Sequence, residues 1–243
     1  KAKAFATDFI PSKTEANTYF INEHTFSLPA ISISTKPAYL MDNTIGIYVD
    51  GTNGVTGNCQ NTPKNWNQDW KRHATIEYFE PSGAKGWDQG VDIRIGGACS
   101  RGQAQKSFVV QADDKYGKNH IDEKLFDNKA AEQYGGFFLR NSGNDFNTTL
   151  FRDALMQRLA ASQMDLDYMD YKPTIFYLNG KYWGIQNMRE KIDGEFIESN
   201  YGISKDDVDL IETWGNAIEG SADAYDSYLQ GLQTMDRSTS EAF

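Results

Sequence analysis

Three stretches follow one another without a spare residue: Pro173-Thr-Ile-Phe-Tyr-Leu178, Asn179-Gly180 and Lys181-Tyr-Trp-Gly-Ile185. Asn-Gly supplies the two positive-φ positions of a type I′ turn, whose twist matches that of paired strands. The segment therefore predicts a two-residue β-hairpin, so any fold for this chain must contain an antiparallel pair there. Other strands follow from period-two alternation. Val91, Ile93 and Ile95 share one face of Val91–Ile95, with Asp92 and Arg94 on the other. Ala30–Ser34, Ile45–Val49, His73–Glu80, Lys106–Val110 and Phe137–Arg140 read the same way. The Gly- and Asn-rich stretch between Asp50 and Asn65 reads as irregular.

Helical signals begin later in the chain. Asn147 or Thr148 caps a predicted helix in which Phe151, Leu155 and Leu159 recur every four positions. Met188, Ile192 and Phe196 predict a second helix ending near Gly202, and Val208–Ile211 one more strand. Ser221 caps a third helix with Tyr225, Tyr228, Leu229 and Leu232 in one stripe. Strands first, then strands mixed with helices, predict an α+β fold: a mostly antiparallel sheet with packed helices.

Composition narrows the function classes. The 243 residues carry 24 Lys and Arg against 34 Asp and Glu, a net charge of −10. A general nucleic-acid binder needs a basic face, so that partner class is excluded. No apolar run approaches the ~20 residues of a membrane span. An aromatic fraction of 13% argues for an ordered core rather than disorder. Cys59 and Cys99 leave both a disulfide and two free thiols open, with free thiols the simpler reading. His24, His73 and His120 stand far apart without paired cysteines, so a zinc site is not expected, and no G-x-S-x-G nucleophile motif occurs.

Gly97-Ala-Cys-Ser-Arg-Gly102 has the glycine spacing of a phosphate loop, but Gln103 stands where a P-loop requires Lys. A Gly/Ser loop followed by Lys106 on a strand is still chemically apt for phosphates, since loop amides and an ammonium can face phosphate oxygens. An ordinary turn with a solvated Lys is the simpler alternative. Glu190 is placed at the start of a predicted helix, where the helix dipole favours a carboxylate; the functional alternative is a partner for a phosphate-binding Lys. Arg140, Asp145, Arg152 and Asp153 read as ion pairs fixing strand against helix. Trp66 and Trp70 beside the Asn-rich loop are candidate sugar-stacking residues or core anchors.

Taken together, Ile93–Arg101, Gln105–Phe108, Phe138–Asn141 with Asn144-Asp145, Phe151–Asp153, Tyr177–Gly184 and Arg189–Asp193 resemble, in order and spacing, the spore-coat protein H (CotH) kinase family of secreted or surface atypical kinases. The resemblance implies a β-rich lead-in over residues 1–88 and the N-terminal part of a kinase domain over 89–243. It further implies transfer of the ATP γ-phosphoryl group to Ser or Thr of a protein substrate, with Mg or Mn, at an extracellular or cell-surface location in bacteria. Ser100, Arg101, Lys106 and Glu190 would then be nucleotide-binding. The family's catalytic and metal-binding aspartates are expected beyond Phe243, so no catalytic residue or metal ligand is assigned. The chain is accordingly expected to be a truncated portion, inert alone and without a tightly bound cofactor. The alternative is a non-catalytic surface module for glycan or protein partners.

Overall fold

The computed structural model describes residues 2–10, 12, 15–22 and 25–235, so His24 lies outside the described residues. The chain forms two compact units, Lys1–Lys191 and Ile192–Phe243.

In chain order the first unit contains β1 (Ala30–Thr35), α1 (Pro37–Met41), β2 (Val55–Gly57), β3 (Gln60–Lys64), β4 (Arg72–Phe79), β5 (Lys85–Gly96), β6 (Ser107–Gln111), β7 (Gly136–Arg140), α2 (Arg152–Ala161), β8 (Tyr171–Leu178) and β9 (Lys181–Arg189). Seven of the strands close into a barrel in the order β1-β4-β5-β6-β7-β9-β8. Every neighbouring pair is antiparallel except β1 and β8, which run parallel, with Ile31 opposite Phe176 and Ile33 opposite Leu178.

The register keeps one face of every strand inside. Ile33 lies opposite Ile76, Ile93 opposite Val110, Phe108 opposite Leu139, and Leu139 opposite Met188. All of these are essentially inaccessible to solvent and belong to one cluster. Each such side chain contributes roughly 1.5–3 kcal/mol by leaving water, and together they fill the barrel as a solid core.

The expected α+β sheet with packed helices is therefore corrected: the fold is mostly β, a closed seven-stranded barrel, with four short α-helices among the described residues. Alternation announces strands, but the closing contact joins Ala30 to Ile175, and no local pattern encodes a pairing at that separation. Four smaller expectations also change. Ile45–Val49 is not a strand; Ile47 and Tyr48 donate backbone hydrogen bonds to Tyr39 and Leu40 at 2.9 Å, folding the segment against α1. The Gly- and Asn-rich stretch holds the small β2–β3 hairpin. Met188 ends in β9 rather than in a helix. Leu155 and Leu159 of α2 face solvent, and Ala154 is the buried residue of that helix.

The predicted hairpin forms as β8–β9, with Asn179 at φ 51° and Gly180 at φ 77°. The second unit contains α3 (Gly194–Tyr201), β10 (Leu210–Glu212), β11 (Asn216–Glu219) and α4 (Asp223–Thr234). Asp193 caps α3 by accepting from the Phe196 amide at 3.0 Å, and Gly202 ends it at φ 70°. A Glu219 carboxylate oxygen accepts from the Gly194 amide at 2.7 Å, holding the start of α3 to the β10–β11 ribbon.

Candidate functional site

The barrel has two mouths. At one lie the ends of β1, β5 and β7, the starts of β4 and β6, and the β8–β9 turn; the other collects the opposite ends. The first mouth receives the Gly97–Lys106 loop and is plugged by Tyr48 and Trp66 from the long β1–β4 connection.

Lys106 immediately precedes β6 and is 6% exposed. Its ammonium donates to the carbonyls of Arg101 at 2.6 Å and Gln103 at 3.1 Å. It also lies 4.5 Å from the centre of the Trp66 ring and 5.6 Å from that of Tyr48. Its partners are thus neutral oxygens and ring faces. Asp50, the carboxylate that acts on it, is itself bonded to Lys64 at 2.6 Å. Burial lowers the Lys106 pKa to about 8, against a smaller opposing pull from Asp50.

The loop itself is fastened on three sides. Arg101 folds back to the Gly97 carbonyl at 2.5 Å and reaches the Asn67 carbonyl at 3.0 Å. Cys99 forms a disulfide with Cys59, between β2 and β3, across a sequence separation of 40, so the free-thiol reading is corrected. Asn141, at the end of β7, donates to the Ser100 carbonyl at 3.3 Å and the Gln105 carbonyl at 2.7 Å. Its own oxygen accepts from Ser107 Oγ at 2.9 Å and the Gly143 amide at 3.0 Å. One buried amide therefore ties the glycine loop to the 141–145 turn with all its main bonding capacity used. Gly97, at φ 95°, lets Ser100 Oγ fold in where a Cβ would meet it at 2.4 Å.

Tyr48 completes the plug. Its hydroxyl accepts from the Lys106 amide and the Trp183 indole, both at 2.9 Å, and donates to the Ala104 carbonyl at 3.0 Å. Trp66 is 4% exposed and donates its indole N–H to Asp50 at 2.9 Å. Its ring covers Lys106, so it offers no face to a sugar. Trp70 packs against the core with the Arg72 guanidinium 4.9 Å above it.

Ser100, Arg101 and Lys106 are brought together; Glu190 is not. The Gln186 side chain donates to the Lys106 carbonyl at 2.8 Å, and Glu190 lies four residues further on, on the order of 13 Å of extended chain, just past the end of β9 and ahead of α3 rather than at a helix start. It sits at the other mouth. There one of its carboxylate oxygens accepts from the Asp170 amide at 2.8 Å and pairs with Lys129 at 3.3 Å. Burial raises its pKa. The expected ion pairs between strand and helix do form: Asp153 of α2 takes Arg189 at 2.9 Å and Arg140 at 3.3 Å. Asp145 is taken up by its own turn. The Thr148 and Thr149 hydroxyls, with the Arg152 amide, hold its pKa well below the carboxylate range.

The residues the sequence reading missed are Tyr48, Asn141 and Asp50. Tyr48 was visible only as part of a supposed strand, and Asn141 only as one letter of a longer motif.

The family model described as CotH kinase protein matches residues 93–242. The chain belongs to the CotH kinase protein family. The match begins inside β5 and takes in the glycine loop, Lys106, Asn141, the β8–β9 hairpin and Glu190. No curated protein matches the chain.

Proposed function

We propose that this CotH-family chain works in ATP-dependent phosphoryl transfer to Ser or Thr hydroxyls of a protein, with the 97–106 loop as its phosphate-facing element. The observation that carries the reading is Lys106: a buried ammonium beside a glycine-rich loop, with neutral partners and no carboxylate at ion-pair distance among the described residues. A buried charge without a counter-ion is costly, and a phosphate oxygen is a counter-ion that such a group would accept. ATP, when bound, supplies the γ-phosphoryl group; the chain's part is to neutralise and orient the phosphates, which is most of what phosphoryl transfer asks of a protein. Ser100 and Arg101 shape the loop, while Glu190, committed to Lys129 at the far mouth, is left with a structural role.

The family also implies a divalent cation. Among the described residues no group of three His, Cys, Asp or Glu side chains could hold one. The residues present do not fit the ion, and no step is derived through it.

The Cys59–Cys99 disulfide supports a second part of the proposal, an oxidising location outside the reducing cytosol.

The test is titration of the protein with a fluorescent ATP analogue, paired with thermal unfolding of each variant. Saturable binding that weakens about tenfold or more in Lys106→Met is expected, since a charge-assisted contact is worth roughly 1.5–3 kcal/mol. Absence of saturable binding to the wild-type protein, or equal binding by a folded Lys106→Met variant, overturns the reading.

A further inference from the structure

The mouth opposite the glycine loop is open where the first is plugged. A cleft of about 410 Å³ enters it, floored by Met188 and walled by Tyr78, Trp87 and Lys172. These four are inward positions of consecutive register: Tyr78 of β4 lies opposite Trp87 of β5, and Lys172 of β8 opposite Met188 of β9. The cleft is therefore the end of the barrel interior, a common place for a ligand in a small barrel. The Tyr78 and Trp87 rings stack with an interplanar angle of 5° and centroids 5.8 Å apart.

Tyr78 is 6% exposed, yet its hydroxyl has no hydrogen-bond partner among the described residues. The ring is buried but the hydroxyl is not among the buried unpartnered polar atoms, so it opens onto the cleft that Tyr78 lines and is free to bond a ligand there. Around it the rim carries Glu80, Glu123 and Asp127 against Lys124 and Lys172. Lys172 is drawn to Asp127 at 3.5 Å, which leaves Glu80 and Glu123 facing one lysine. After burial itself, Glu80 and Asp127 raise the Tyr78 pKa, so the phenol feels a negative potential.

We propose that this mouth is a binding site for an organic cation, a guanidinium or alkylammonium group seated against the Tyr78–Trp87 pair and neutralised by Glu80 and Glu123. The aromatic faces attract a cation through their quadrupoles, the two carboxylates supply charge, and the Tyr78 hydroxyl oxygen accepts one N–H. The site is separate from the glycine-loop mouth and does not depend on the phosphoryl-transfer reading.

The probe is n-butylguanidinium, with n-butylurea as its neutral isostere, followed through the Trp87 indole N–H by NMR. A capped Gly-Arg-Gly peptide forms a second arm. Saturable shifts with the guanidinium, and affinity about twofold to fivefold lower for the urea, are expected from a cation–π contribution. The exposed double variant Glu80→Gln/Glu123→Gln should weaken guanidinium binding and leave urea binding as it was. Peptide binding tighter than that of butylguanidinium marks a protein side chain as the source of the cation; equal affinities mark a free small amine. Equal binding of guanidinium and urea, indifference to the double variant, or no saturable shift at Trp87 overturns the proposal.

Discussion

Lys106 and Glu190, the two charged residues that a kinase-like reading would pair, sit at opposite mouths of one barrel and hold different partners. Lys106 braces the glycine loop through two carbonyls, while Glu190 neutralises Lys129. Lys106 thus has no carboxylate at ion-pair distance among the described residues, whereas Glu190 has its counter-ion in Lys129. That asymmetry is why the phosphate-facing proposal rests on the loop and Lys106 alone.

Because burial lowers the Lys106 pKa to about 8 from 10.5, the folded protein releases this proton before the unfolded chain does. Between those values the unfolded state binds more protons, so stability rises with pH across that window and is lost again as pH falls through it. The stability difference between wild type and Lys106→Met should therefore shift toward wild type by about 1–3 kcal/mol from pH 7.5 to 10.5. Chemical denaturation at a series of pH values measures it, and a flat difference would mean that Lys106 titrates normally.

The Cys59–Cys99 bridge closes a loop across a sequence separation of 40. Chain-entropy arguments give such a cross-link about 3–4 kcal/mol. The Cys59→Ser/Cys99→Ser variant should melt at a lower temperature by a matching amount. Hydrogen exchange should quicken in residues 97–106 first, because the bridge is one of three fasteners on that loop.

Asn141→Ala removes a side chain bonded to Ser100, Gln105, Ser107 and Gly143. The exposed cost of several buried groups left without partners is about 2–4 kcal/mol. Amide exchange should rise together in residues 97–106 and 141–146. Acceleration confined to one of the two segments would count against the clamp.

Arg189 is fully buried and shares Asp153 with Arg140. Burial lowers the Arg189 pKa, against a smaller upward pull from Asp153. Asp153→Ala should cost about 3–5 kcal/mol, since it leaves a buried guanidinium without its counter-ion. Replacing both members, as Asp153→Leu with Arg189→Met, should recover most of that loss in urea titrations.

How much of this was written in the sequence can be judged from single elements. Asn179-Gly180 determined its hairpin outright, because only residues tolerant of positive φ make that turn. Alternation determined which of Ile31, Ile33, Val91, Ile93 and Ile95 face inward, since the strand period is two. The ordered motifs determined the family. Closure of the barrel was decided by the parallel β1–β8 contact, whose partners lie more than a hundred residues apart in the chain. The same long-range pairing set the neighbours of each charge. Trp66 became a lid over Lys106, Cys59 reached Cys99, and Glu190 was carried to the far mouth. Local spacing governs backbone conformation, whereas the dielectric, counter-ions and access of a side chain depend on distant strands brought alongside it.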